Sequence, residues 1–154
     1  MEIIKLIKRP AIVLDNKLNN KYFELEKLIN ELRNREIPIE ISNSINQNVE
    51  EINSFSGSNK DLLKRLRKSQ MRILKLIEKE LKLVPKNFYR NRLLAIGMSA
   101  IGIPIGVAFG LSLGNMAFLG IGIPIGMVVG MAIGAGMDKK TFEEGRQLDL
   151  EIKY

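Results

Sequence analysis

The most distinctive pattern in the chain is a stretch from residue 93 to residue 137 without a charged side chain. This stretch is 45 residues long, and an unbroken apolar run of about 18 residues already suffices to span a bilayer. It therefore predicts two membrane-spanning helices, at 93–113 and 117–137, of 21 residues each. At a rise of about 1.5 Å per residue, each helix is about 31 Å long, which matches a hydrocarbon core of about 30 Å.

A short turn and the flanking charges predict how the two helices are oriented. Gly114, Asn115 and Met116 separate the helices, and Gly and Asn both tolerate turn conformations. A turn this short predicts an antiparallel hairpin whose ends lie on the same side of the membrane. Because basic residues flank both ends and none lies in the turn, the positive-inside rule places both termini in the cytoplasm. The residues expected to contact lipid headgroups are Lys82, Lys86, Arg90, Arg92, Lys139 and Lys140.

Glycine recurs at every fourth position in both predicted spans, and the hexapeptide Ile-Gly-Ile-Pro-Ile-Gly occurs at 101–106 and again at 121–126. Small residues at this spacing let membrane helices approach closely. The two stripes either seal one hairpin or also join neighbouring subunits. We expect the second, because the stripe drifts about 40° around the helix with each step of four residues. The predicted packing residues are Gly102, Gly106, Gly110, Gly114, Gly122, Gly126, Gly130 and Gly134.

These tandem Gly-xxx-Gly motifs resemble those of the glycine-zipper, two-span proteins found in bacterial membranes. The resemblance covers about residues 97–137 and rests on the eight glycines named above. It implies a membrane-embedded helical hairpin that self-associates, and we expect it in the bacterial inner (cytoplasmic) membrane. Pro104 and Pro124 depart from a plain zipper. They predict a kinked or unwound level near mid-membrane, which is either a hinge or gate or a pair of matching kinks.

A strongly basic segment precedes the hairpin. Residues 60–92 contain twelve Lys and Arg but only three Asp and Glu. Apolar residues at helical spacing predict a long amphipathic helix that begins near Ser58 and ends near Pro85. Its apolar face lies on anionic lipid, packs on other helices, or accompanies contact with nucleic acid. The absence of aromatic residues between positions 56 and 87 weakens the last interpretation. The predicted packing face contains Leu66, Ile73, Ile77 and Leu81.

The whole chain is therefore expected to be all-α, with a transmembrane hairpin and an N-terminal cytoplasmic helical region. We divide it into a cytoplasmic helical region at 1–59, a basic juxtamembrane helix at 60–92, the hairpin at 93–137 and a cytoplasmic tail at 138–154. Two further helices are predicted at about 19–35 and 42–53. Short apolar segments at 2–7 and 11–14 flank Pro10 and predict short strands or extended arms.

The side chains available for chemistry are few. The chain contains no His and no Cys, which excludes histidine bases, thiol nucleophiles and the usual zinc ligands. No phosphate-binding loop motif occurs either. We therefore expect a non-enzymatic protein without a cofactor or metal. We expect it to associate with further copies of itself and with anionic lipid, and to form a pore or a membrane-perturbing effector assembly. Alternatively, it is a membrane-anchored scaffold whose cytoplasmic helices bind a protein; nucleic acid is not an expected partner.

Overall fold

A computed structural model describes residues 2–7 and 15–152 of the chain. The chain forms two compact units, which are described separately below. The first contains the chain up to Leu83 together with Leu148–Ile152, and the second is Val84–Gln147. The second unit is thus inserted in the sequence of the first. The region 138–154, expected to be a tail, contributes its residues 148–152 to the first unit.

Three helices build the first unit: α1 (Asn16–Arg33), α2 (Ile39–Asn53) and α3 (Asn59–Leu81). Side chains that accept hydrogen bonds from free N–H groups cap two of them, as helix starts require. The Asp15 carboxylate accepts from the backbone N–H groups of Lys17 and Leu18 at the start of α1, and the Ser58 hydroxyl accepts from the backbone N–H of Asp61 at the start of α3. The predicted start of the basic helix at Ser58 is confirmed.

The apolar faces of these helices share one core. Leu66, Ile73 and Ile77 of α3 are fully buried, and Leu81 packs partly buried against the same cluster. The stripe of the basic helix therefore packs on other helices, which is the second of the three interpretations. The helical residues of this core are Leu18, Tyr22, Leu25, Leu28, Ile29, Leu32, Ile45, Val49, Ile52, Leu62, Leu66, Ile73, Leu74 and Ile77.

Residues 2–7 run as an extended segment against α2, as one of the sequence alternatives proposed. Two asparagines seven residues apart on α2 bind its backbone. Asn46 accepts from the N–H of Ile4 at 2.8 Å, and Asn53 accepts from the N–H of Ile7 at 2.9 Å. The amide side chains thus satisfy polar groups that a sheet partner would otherwise bind. Residues 11–14 lie outside the described residues.

Helix α3 ends at Leu81, close to the end that the sequence predicts near Pro85, and a new helix begins at Phe88, so the basic segment 60–92 is not one continuous helix. Lys82 adopts a left-handed conformation with φ of 57°, and the N–H of Leu83 donates to the carbonyl of Ile77. This is a common way to terminate a helix. The short strand β1 (Val84–Lys86) follows, and it contains Pro85.

A second strand, β2 (Gln147–Glu151), follows the hairpin and was not predicted; β1 and β2 form one two-stranded sheet. Leu148, Leu150 and Ile152 belong to the core of the first unit. The N–H of Asp149 donates to the Glu31 carboxylate on α1 at 3.2 Å. The coarse expectation of a helical chain is confirmed, since most described residues are helical.

The second unit is a helical hairpin. Its first arm consists of α4 (Phe88–Gly97), a π-helical segment (Met98–Gly102) and α5 (Ile103–Ser112). A 3₁₀ turn (Met116–Phe118) leads into its second arm, α6 (Leu119–Glu143). The turn lies where the sequence predicts it, since Gly114 has a φ of 65° and Asn115 accepts from the N–H of Ala117 at 2.9 Å. The arms contain candidate spans of 25 and 28 residues.

Candidate functional site

The two arms of the hairpin approach each other at their glycines. A Cβ atom added at Gly106 would lie 2.7 Å from the carbonyl oxygen of Leu119 on the other arm, which is too close to be accommodated without movement. An added Cβ would come similarly close to main-chain atoms of the opposite arm at each of the seven glycines named at the end of this paragraph. The interface is therefore a contact between two backbones. The glycines of this interface are Gly97, Gly102, Gly106, Gly122, Gly126, Gly130 and Gly134.

The repeated hexapeptides face each other across this interface. A Cβ at Gly122 would overlap the carbonyl oxygen of Gly102 and the backbone of Gly106. A Cβ at Gly126 would overlap the carbonyl oxygen of Gly97 and the nitrogen of Gly102. The repeats at 101–106 and 121–126 thus give one antiparallel contact, in which each glycine makes room for the backbone opposite.

The π-helical segment explains why Gly97 belongs to the interface although it lies five residues before Gly102. The N–H of Ile103 donates to the carbonyl of Met98, five residues earlier. Residues five apart therefore lie nearly above each other here, whereas an α-helix aligns residues three or four apart. The extra residue in this turn places Gly97 on the same face of the arm as the other interface glycines. A search for four-residue spacing alone misses this glycine.

Contacts within the hairpin cover most of each glycine stripe, and contact of the stripes with a neighbouring subunit stays a prediction. The contacts extend from Gly134, opposite Arg90, to Gly106, opposite Leu119. Gly110 faces Met116 of the turn region, whose sulfur would lie 2.9 Å from an added Cβ. Gly114 belongs to the turn and has open space around it. Most of the predicted stripe glycines are therefore in contact within one chain.

The two prolines lie away from the interface. Pro104 and Pro124 are both exposed on the hairpin surface. Pro104 lies near the start of α5, shortly after the π-helical segment, where the helix is wound more widely than an α-helix. Pro124 lies inside α6, which remains one continuous helix. A π-helical segment thus lies beside Pro104, whereas the helix assignment is uninterrupted at Pro124; a hinge or a pair of matching kinks at the two prolines stays a prediction.

Asp138 lies at the open end of the hairpin, where it links the two arms, and the residue is buried. One oxygen accepts from the N–H of Tyr89 at 3.0 Å, and the other accepts from the N–H of Arg90 at 2.9 Å. These are first-turn N–H groups of α4, which have no partner within their own helix. A carboxylate there also complements the positive end of the helix dipole. Asp138 was missed in the sequence, although it is the first charged residue after the apolar run.

The basic residues expected at headgroups lie in both units. Lys82 belongs to the first unit, and its ammonium donates to the carbonyl of Lys79. Within the second unit, Lys139 and Lys140 lie near Glu143 and Glu144, at 3.9 and 4.0 Å. Such exposed pairs contribute little and leave the charges solvated. Lys86 is exposed just before α4, and Arg90 and Arg92 are exposed within its first turns.

The outer surface of the hairpin is apolar. Only 22% and 17% of the most apolar windows of the two arms are buried, whereas the core helix of a soluble protein is mostly buried. Ser99, an exposed polar residue of the first arm, donates its hydroxyl to carbonyls of its own helix. Exposed large side chains of the hairpin include Ile96, Ile103, Phe109, Leu111, Leu113, Ile121, Val128 and Ile133.

The polar surface of the first unit is divided by charge. Helix α3 carries eight basic and three acidic side chains, a net charge of +5. Helix α2 carries three acidic residues and no basic one. Because the apolar stripe of α3 is buried, its basic side chains form the solvent-facing surface of the helix.

Comparisons of the chain with protein-family models, with curated proteins and with solved structures found no match.

The glycine interface predicts opposite effects for two alanine substitutions on α6. We expect Gly126→Ala to destabilise the hairpin by about 1–3 kcal/mol, because its Cβ would push the opposite backbone away. Gly136 has open space around it. We expect Gly136→Ala to stabilise by about 0.5–1 kcal/mol, because Ala forms helix better than Gly. Unfolding of the full chain in mixed detergent micelles measures both, and equal effects of one sign would contradict the interface.

The hydrogen bonds of Asp138 predict a second effect on stability. We expect Asp138→Ala to cost about 1–2 kcal/mol, as the loss of a capping side chain does. Asp138→Asn keeps one acceptor oxygen and should cost less. Glu143→Ala is the control, because Glu143 lies on the same helix but is exposed and only loosely paired. Unfolding in mixed detergent micelles again measures the stability of each variant. A loss of stability for Asp138→Ala no larger than that for Glu143→Ala would rule out the capping role.

Proposed function

We propose that this chain is an integral membrane protein whose hairpin spans the bilayer. Its two candidate spans of 25 and 28 residues exceed the length needed for a hydrocarbon core of about 30 Å. Their outward faces are apolar, which suits lipid and not water. The backbone contact through glycine is the kind of packing that joins helices where the hydrophobic effect is absent.

The chain path supports a location of both hairpin ends on one side of the membrane. The first unit holds both the segment before the hairpin and the segment after it, since Leu148, Leu150 and Ile152 share the core of α1–α3. A domain with one core lies on one side. The basic residues Lys86, Arg90, Arg92, Lys139 and Lys140 favour the cytoplasmic side, where they would meet anionic headgroups. A bacterial inner membrane fits this arrangement.

The function that the geometry favours is a membrane-anchored binding module, in which the hairpin is the anchor and the first unit is the binding part. The observation that carries this proposal is the use of both glycine stripes within one chain. An assembly built on those stripes would need them free. A channel would also need polar groups along its path, and the hydroxyl of Ser99 is bonded to its own helix. The basic surface of α3 remains available to a cytoplasmic partner.

A reconstitution experiment separates this module from a pore or a membrane-perturbing effector. The purified chain is inserted into dye-loaded liposomes, and the particle mass is measured in detergent. We expect no dye release above that of empty liposomes and a particle that contains one chain. Dye release together with a particle of several chains would overturn the proposal and favour the self-associating pore or effector.

A further inference from the structure

A cavity of about 510 Å³ opens in the first unit, between the end of α2 and the first half of α3. Its volume falls within the range of about 300–1,000 Å³ that is typical of small-molecule sites. Four basic side chains and two carboxylates line it, so its net charge is positive. Charge, an aromatic wall and a hydroxyl each bear on what it binds.

The charges of the cavity are arranged along one face of α3. Lys64, Lys68 and Arg72 follow each other at steps of four residues, which places them side by side. Arg72 is held by the Glu51 carboxylate at 3.3 Å. Lys64 and Lys68, in contrast, make no hydrogen bond or ion pair within the described part of the chain. Two ammonium groups are therefore available to an anion.

The aromatic wall of the cavity is held from two sides. The guanidinium of Arg65 lies over the ring of Phe55, with its central carbon 4.5 Å from the ring centroid. The ring also rests on Gly57, where an added Cβ would overlap it. Stacking on an aromatic ring fixes the plane of a guanidinium. Arg65 thus lines the cavity in a defined orientation.

Ser69 supplies a polar group at the buried side of the cavity. The residue is 3% exposed and lines the cavity, and its hydroxyl makes no hydrogen bond to another described residue. The hydroxyl can donate one hydrogen bond to a ligand oxygen in the cavity.

We propose that this cavity binds a phosphate-bearing small ligand. A phosphate group carries one to two negative charges and several acceptor oxygens, which match two free ammonium groups, an oriented guanidinium and a hydroxyl. The inference rests on the proposed function, because it assigns a ligand to the binding module. An anionic lipid headgroup and a soluble phosphate ester share this chemistry, and two arms of one experiment distinguish them.

The test uses the full chain in nanodiscs and follows the amide NMR signals of Gly57 and Ser69. In the first arm, glycerol phosphate is titrated into phosphatidylcholine nanodiscs, with sodium chloride at equal ionic strength as the blank. In the second arm, the share of phosphatidylglycerol in the nanodisc is raised without added phosphate. We expect saturable shifts in one arm. Saturable shifts with glycerol phosphate identify a soluble ligand, and saturable shifts with phosphatidylglycerol identify a lipid headgroup.

Matched variants distinguish a site from general charge attraction. We expect Lys68→Gln and Ser69→Ala each to weaken binding about tenfold, the usual scale for one hydrogen bond to a charged group. Lys75→Gln removes the same charge from the same helix but outside the cavity, and binding should not change. Absence of saturable shifts in both arms, or an equal loss for Lys75→Gln, would overturn the phosphate site. Either result leaves the anchor proposal intact, because leakage and particle mass test that separately.

Discussion

The second unit depends on direct contact between two helix backbones, which only glycine permits. Seven glycines remove the side chains that would keep the arms apart, and main-chain atoms of one arm then meet those of the other. In lipid, such close packing replaces the hydrophobic effect as the source of helix association. The contact continues to the open end of the hairpin, where it places Asp138 within reach of the N–H groups of Tyr89 and Arg90. The glycines therefore also make the buried cap possible.

The insertion of the hairpin within the sequence couples it to the first unit. The chain leaves the first unit after Leu83 and returns at Leu148. Leu148 and Leu150 are needed to complete the core around α1 and α3. The first unit therefore cannot be completed until the hairpin has been synthesised.

Local patterns in the sequence predicted much of this structure, and nonlocal contacts account for what they missed. The uncharged run, the turn at Gly114 and the stripe of Leu66, Ile73 and Ile77 follow from periodicity and turn chemistry. Gly97 was missed because a π-helical segment shifts its register. Asp138 was missed because its partners lie 48 and 49 residues away.

The strands and the cavity show the same division between local and nonlocal information. Strand β1 contains three residues, too few to show alternation, and it was read as the end of a helix. Strand β2 lay in the region expected to be a tail. The cavity depends on Phe55 meeting Arg65 across a loop, and no spacing rule encodes that contact. The use of the stripes within one chain likewise depends on how two distant segments align.

The most direct test of a hairpin that spans the bilayer and returns to its own domain is residue accessibility from each side. The chain contains no cysteine, so single cysteines at Gln47, Met116 and Glu151 each report one site. These exposed positions lie on α2, in the turn and on β2. Membrane vesicles of both orientations are treated with a maleimide that does not cross the bilayer. We expect labelling of Gln47→Cys and Glu151→Cys from one side and of Met116→Cys from the other. Labelling of all three from the same side, or of Gln47→Cys and Glu151→Cys from opposite sides, would contradict the spanning hairpin.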